Sequence, residues 1–184
     1  MNNGWLGKFS QWDAEWSARL VIADQPGFVR SFAIFFAHSG DSWLWLIGLL
    51  LVWIFGNDEW KLHAVVLITG ILFTALTVFA IKFTVRRQRP EGEWGAIYRK
   101  TDPHSFPSGH AARATLLAVL AIGLGPAWFG VVLLIWAPLV ILARVAMGVH
   151  YLSDVVAGAV LGIAMGLLML SLSSWLVSLA APLL

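Results

Sequence analysis

Apolar residues run in long blocks along this chain, neither alternating as in a strand nor striped as on a soluble amphipathic helix. Five blocks read as membrane spans: residues 42–55, 62–81, 111–123, 127–143 and 155–177. Hydrocarbon offers no outside partner to a backbone N–H or C=O, and blocks of this length are too long for barrel strands, so the spans must be helices. Several fall short of the typical ~20 residues, and their ends must therefore run on through Lys82, His110 and Arg144, which places those polar residues near the membrane interface. Ahead of the spans, residues 5–22 put Trp5, Phe9, Trp12, Trp16 and Leu20 near one face, with Lys8, Asp13, Glu15 and Arg19 elsewhere, the pattern of a helix lying in the interface. Residues 28–38 either lengthen the first span or form a bent one, and Asp24 and Arg30 count against an independent sixth span. Residues 86–106 turn polar and rich in Gly and Pro, marking one long extramembrane loop. Gly158, Gly162 and Gly166, spaced by four, predict close helix packing. The pattern predicts an all-α integral membrane bundle of five to six transmembrane helices with an N-terminal interfacial helix. It forms a single domain over 1–184, with 1–40 as the interfacial segment and 82–154 as the core that carries the polar motifs.

Composition sharpens this picture: 59% of the residues are hydrophobic against 12% charged, which excludes a soluble domain beyond the first forty or so residues. There is no Cys, so disulfides and thiolate metal sites are excluded as well. Of the Trp residues, Trp43, Trp45, Trp53, Trp60, Trp128 and Trp175 lie near block ends, where indole suits the headgroup layer. The N-terminus lacks a basic stub followed by an uninterrupted apolar core and is expected to be retained. A net charge of +2 could suggest nucleic acid, but half of the 12 Lys and Arg lie between Lys82 and Lys100. A local basic cluster held at a membrane points instead to a phosphate-bearing lipid as the partner.

Polar residues are expensive in such a chain and fall into three groups: Lys82 with Arg89–Pro90, Pro107–Ser108–Gly109–His110, and Arg144 with His150 and Asp154. Counting crossings brings all three to one membrane face, because the chain leaves the second span, loops into the third, returns by the fourth and re-enters by the fifth. His150 and Asp154, four apart, share a helix face, so the carboxylate can accept one ring N–H and leave the other nitrogen free to attack. Lys82, Arg89 and Arg144 repel one another unless an anion joins them, and the guanidiniums fork onto phosphate oxygens. Ser108 and Gly109 expose backbone N–H groups at a helix start, where an anion is favoured, and His110 on the first turn can protonate a leaving oxygen.

These residues resemble the type 2 phosphatidic acid phosphatase superfamily, which includes membrane lipid phosphatases, soluble bacterial acid phosphatases and vanadium haloperoxidases. Its motifs are Lys, six residues, Arg-Pro; then Pro-Ser-Gly-His; then Ser-Arg, five residues, His, three residues, Asp. The chain matches them at Lys82, Arg89 and Pro90, at Pro107 to His110, and at Arg144, His150 and Asp154, with Ala143 where the pattern has Ser. The resemblance implies His150 as nucleophile through a phosphohistidine, Asp154 as its orienting partner and His110 as acid for the leaving group. It further implies that Lys82, Arg89, Arg144, Ser108 and Gly109 hold the phosphoryl oxygens, with no metal and no cofactor. The substrate would be phosphatidylglycerol phosphate, phosphatidic acid or a polyprenyl diphosphate such as undecaprenyl diphosphate. The site would open to the extracytoplasmic side of a bacterial inner membrane, although a positive-inside count alone puts it in the cytoplasm. Arg86 and Arg113 are candidate headgroup contacts, Arg113 being equally suited to a helix-packing ion pair. Arg87, Arg99 and Lys100 match no motif and default to solvated or lipid-facing charges, and His38, His63 and His104 have no assigned partner. Two alternatives keep the basic pocket: a lipid phosphotransferase using the same site, and a non-catalytic lipid-binding or transport bundle, against which His150, Asp154 and His110 argue.

Overall fold

Helices form where the apolar blocks predict them and run further into the polar motifs. The computed structural model describes residues 4–92, 94 and 102–183, so Arg99 and Lys100 lie outside the described residues. In chain order, α1 is Trp5–Arg19, α2 Phe28–Ser39, α3 Ser42–Phe55, α4 Asp58–Val85, α5 Gly109–Leu124, α6 Ala127–Ala146 and α7 Leu152–Ala180, followed by a 3-10 turn, Ala181–Leu183. Lys82 lies inside the last turn of α4, His110 in the first turn of α5 and Arg144 in the last turn of α6, as the short blocks require. The start of α4 is set by Asn57, whose side chain accepts from Trp60 N at 3.0 Å, with Asp58 and Glu59 placed at the positive end of the helix dipole. Its end is set by Arg86 in the left-handed conformation at φ 53°.

The centre of the bundle is α5. Ala111, Ala112, Ala114, Leu116, Leu117 and Leu120 on it are fully buried among α4, α6 and α7. The α5–α7 seam is built on glycine, as the four-residue spacing predicts. A Cβ on Gly158 would lie 2.5 Å from the Ser108 carbonyl oxygen, and one on Gly162 would run into the Ala112 carbonyl, so the two backbones approach as no larger residue permits. Around this core the surface is apolar: Phe73, Leu76, Phe79, Val131, Ile135, Val160 and Leu167 are each about half exposed or more. Such a surface needs lipid around it, and the protein is an integral membrane protein.

Length sorts the helices. Helices α4, α6 and α7 are each long and apolar enough to cross a membrane, and α2 and α3 reach that length only as a pair bent by 57°. Residues 28–38 thus form the bent partner of the first apolar block. Helix α5 has 16 residues, a length of about 24 Å against ~30 Å of hydrocarbon, and its polar mouth is sheltered by neighbouring helices. The break between α2 and α3 is buried in protein, and its carbonyls find partners there. Arg113 Nε donates to Gly40 O at 2.9 Å, Trp45 Nε1 to Ser39 O at 3.0 Å and Arg144 Nη1 to Ala37 O at 3.3 Å. Trp45 is therefore a packing residue and not a headgroup anchor, whereas Trp43, Trp128 and Trp175 are exposed as anchors should be.

Candidate active site

Five places along the chain deliver motif residues to one pocket of about 160 Å³, lined by Lys82, Arg89, Gly109, His110, Arg144 and His150 together with Ser42, Asp102 and Arg113. Lys82 comes from the end of α4, Arg89 from the strap after it, and Gly109 and His110 from the α5 mouth. Arg144 ends α6, and His150 sits in the turn before α7. The predicted convergence of three separated motifs at one end of the bundle is what the structure contains.

His150 is buried. Its Nε2 lies 3.2 Å from Arg89 Nη1, and its Nδ1 lies 3.5 Å from Asp154 Oδ2. The two meet although His150 precedes the Tyr151 N-cap of α7, so they do not share a helix face as the four-residue spacing predicted. Burial, with Arg89 and Arg144 adding positive charge nearby, pushes the His150 pKa down to about 3. The ring is therefore neutral at pH 7, with Nε2 on the cation side of the pocket. Asp154 is held twice more: its Oδ2 accepts from Tyr151 N at 2.9 Å, and its Oδ1 accepts from Arg87 Nη1 at 2.8 Å. Its backbone carbonyl accepts from Ser108 N at 3.0 Å, which ties the α5 mouth to the α7 start.

Ser108 caps α5 with its side chain, which accepts from Ala111 N at 3.4 Å. A Cβ on Gly109 would meet only Val78, at 3.5 Å, so the pocket wall is open at this residue. Arg89 is fixed by donating from Nη1 to Val149 O at 2.9 Å. The expected fourth member of the cationic group is an anion, and in this structure that anion is Asp102. Its carboxylate meets Lys82 Nζ and accepts from Arg89 Nη2 at 2.7 Å, while its carbonyl accepts from Arg89 Nε at 2.7 Å.

His110 is also paired, with Asp41 in the α2–α3 break, at 2.7 Å from Nε2 to Oδ1. Asp41 in turn lies 3.3 Å from His38 Nδ1, which gives that histidine a partner. Arg113 lines the pocket, yet its guanidinium bonds the Gly40 carbonyl and the Ser42 hydroxyl, so it props the break against α5 and forms no helix-packing ion pair among the described residues. Arg86 stays outside the pocket, exposed, with Nε on the Phe83 carbonyl at 2.8 Å.

Sequence reasoning missed Asp41, Asp102 and Asp13, which reach the site from segments with no spacing relation to the motifs, and Arg87, which lies inside the first motif at a position the motif leaves open. For Asp41 a signal existed: a carboxylate in "HSGDS" between two apolar runs is costly unless it is paired. For Asp13 the signal was Ser17 four residues on, both on a stripe that is neither the aromatic nor the solvated face. Arg87 and Asp102 carry no comparable mark.

An all-helical bundle with a buried His–Asp pair facing three cations and a glycine-opened helix mouth defines a class of phosphate-handling membrane proteins. The chain belongs to the PAP2 superfamily, whose family model matches residues 63–178, more than half of it. Among curated proteins it is 33% identical over 151 residues to decaprenylphosphoryl-5-phosphoribose phosphatase of Mycobacterium tuberculosis, covering 79% of this chain and 81% of that protein. It is 28% identical over 147 residues to undecaprenyl-diphosphatase of Sulfolobus acidocaldarius, covering 78% and 70%. Among solved structures it is similar to a transmembrane PAP2 type phosphatidylglycerolphosphate phosphatase from Bacillus subtilis, with a TM-score of 0.74, 22% identity and coverage of 91% and 87%. Aquifex aeolicus LpxE gives a TM-score of 0.63 at 26% identity, covering 82% and 90%.

Proposed function

We propose that this protein is a lipid phosphatase that removes the terminal phosphate of a lipid phosphate or diphosphate without a metal, in a single catalytic domain. The observation that carries the reading is the placement of His150, with Nε2 toward the pocket cations and Nδ1 toward Asp154. Nε2 donates its lone pair to phosphorus, an N–P bond forms and the bond from phosphorus to the leaving oxygen breaks. His110, oriented by Asp41, gives that oxygen its proton. Water then attacks phosphorus, His110 takes back a proton, and the N–P bond breaks to release phosphate and free His150. Lys82, Arg89 and Arg144 hold the equatorial oxygens as charge shifts onto them, with Gly109 at the α5 mouth as the backbone part of the cradle. Ser108, whose N–H is given to the Asp154 carbonyl and which does not line the pocket, supports that mouth and, contrary to expectation, does not hold phosphate. These cations supply the positive charge that metal ions supply in other phosphoryl-transfer sites. For them to engage a phosphoryl group, the Asp102 carboxylate must give way to it.

Two curated relatives bear the names of phosphatases acting on polyprenyl-linked phosphates, which favours a polyprenyl phosphate or diphosphate over phosphatidic acid and phosphatidylglycerol phosphate. A recess of about 800 Å³ between α3 and the starts of α4 and α6 suits an apolar tail, its wall including Leu44, Trp45, Leu49, Val52, Trp60 and Phe129. The test is release of inorganic phosphate in detergent micelles from a panel of undecaprenyl diphosphate, phosphatidic acid and phosphatidylglycerol phosphate, with and without chelator. Turnover that survives chelation and vanishes in His150→Ala is expected. Turnover retained in His150→Ala overturns the reading, and a phosphorylated acceptor in place of free phosphate identifies a transferase.

A further inference from the structure

Helix α1 was expected to lie in the interface with Asp13 on its polar side, yet Asp13 is fully buried and Ser17 nearly so. Both face the start of α7. Asp13 Oδ1 accepts from Ser153 N at 3.0 Å, and Ser17 Oγ accepts from Leu152 N at 2.8 Å. Ser17 Oγ also donates to Asp13 O at 2.6 Å, which locks the two together. The first backbone donors of α7, which no intrahelical carbonyl can satisfy, are thus capped by side chains from the other end of the chain. Arg87 closes the arrangement: Nη2 donates to Asp13 Oδ2 at 2.7 Å, and Nη1 donates to Asp154 Oδ1 at 2.8 Å and to the Ser153 hydroxyl at 2.6 Å. Its Cζ stacks 4.0 Å above the Tyr151 ring.

We propose that Asp13 and Arg87 are positioning residues for the reaction, aiming the Asp154 carboxylate at His150 and so coupling the interfacial helix α1 to the nucleophile. Asp154 contacts His150 at only 3.5 Å, so its aim depends on what holds it from behind. Arg87 occupies the oxygen turned away from the imidazole, and Asp13, buried and with Arg87 as its one ion-pair partner among the described residues, fixes the other arm of that guanidinium. On a neighbouring face of α1, Trp5, Phe9, Trp12 and Trp16 are exposed in a row suited to the headgroup layer. The helix that grips the membrane surface is thus the helix that caps α7, and its seating sets the geometry of the catalytic pair.

The inference rests on the phosphatase reading, and one experiment separates the two. Phosphate release from the best substrate of the panel is measured in micelles for wild type, His150→Ala, Asp13→Asn, Arg87→Lys, Asp154→Asn and Asp13→Asn/Asp154→Asn, with Glu15→Gln on the exposed face of α1 as control. An inactive wild type overturns the phosphatase reading and this inference with it. With wild type active and His150→Ala dead, Asp13→Asn and Arg87→Lys are each expected to lower kcat about 10- to 100-fold, as loss of a group orienting a catalytic side chain does. KM should stay within about twofold, because no substrate contact is removed. In the Asp154→Asn background, Asp13→Asn is expected to cost less than about twofold, because both act through the same carboxylate. Asp13→Asn keeps an acceptor for Ser153 N, and Arg87→Lys keeps the charge, so if one variant does not fold the other carries the test. A kcat within about twofold of wild type in the folded variants, or an Asp13 penalty undiminished in the Asp154→Asn background, overturns the inference.

Discussion

At the scale of single residues, two groups set the chemistry. Asp102 lies between Lys82 and Arg89, and a bound phosphoryl group must displace it. Asp102→Asn removes the competing charge and leaves both cations in place. The expected result is inhibition by inorganic phosphate that is tighter by roughly 3- to 10-fold, the effect of one nearby charge in a partly screened site. A phosphate inhibition constant that is unchanged or weaker would instead make Asp102 the support that aims the cations. His150 carries the second expectation. Free imidazole titrates near 6.5, and this one is pushed down to about 3 by burial and by Arg89 and Arg144. A lowered pKa means that the neutral, nucleophilic form persists as pH falls. Thus kcat/KM, corrected for ionisation of the substrate phosphate, should stay level from pH 7 to about pH 5 and not halve near 6.5. A corrected acid limb centred near 6.5 that vanishes on mild replacement of Asp154 would show a solvated, ordinary His150.

At the scale of elements, α5 and α7 hold the site and α3 lines the apolar recess. Gly162 sits where a side chain would enter the Ala112 carbonyl. Gly162→Val must push α7 from α5, with an expected loss of about 1–3 kcal/mol in stability and with the His150–Ser108 side of the pocket loosened along with it. Thermal unfolding in detergent measures the first and kcat the second. Gly48 lines the apolar recess with nothing near its absent Cβ, so a side chain there starts in open space and Gly48→Trp occupies the recess. Turnover of undecaprenyl diphosphate should then weaken several-fold in KM while that of a short-tailed farnesyl diphosphate changes little, since burial of each chain CH₂ is worth about 0.8 kcal/mol. Equal effects on both substrates would place the tail elsewhere. The elements and the motif half of the site were legible in the sequence because each depends on local order. Apolar block length marks a span, Lys82 and Arg89 keep a fixed spacing, and His150 and Asp154 are four residues apart, close enough to meet even with His150 in the turn before α7. Asp13, Arg87, Asp41 and Asp102 were not legible, because what commits them is tertiary. The α2–α3 break that delivers Asp41 is held by Arg113 and Arg144 from other helices, and the cap of α7 comes from α1.

At the scale of the whole molecule, parity ties the site to the membrane. Helix α7 begins at the site and runs 29 residues, enough to cross the hydrocarbon once, so the C-terminal end must emerge on the face opposite the pocket. Helix α1 is pinned to the start of α7 and stays on the pocket face. Our reading that the pocket opens to the outside therefore predicts opposite accessibility for two positions, and the absence of Cys from the chain makes a clean readout possible. Glu15→Cys on α1 and Ser178→Cys near the end of α7 are both exposed positions. In intact cells a membrane-impermeant maleimide should label the first, and it should reach the second only after permeabilisation. The reverse pattern would put the phosphate pocket in the cytoplasm, in line with the basic residues gathered there. Labelling of both from one side would break the single crossing of α7, and with it the placement of α1, Asp154 and His150 at a common membrane face.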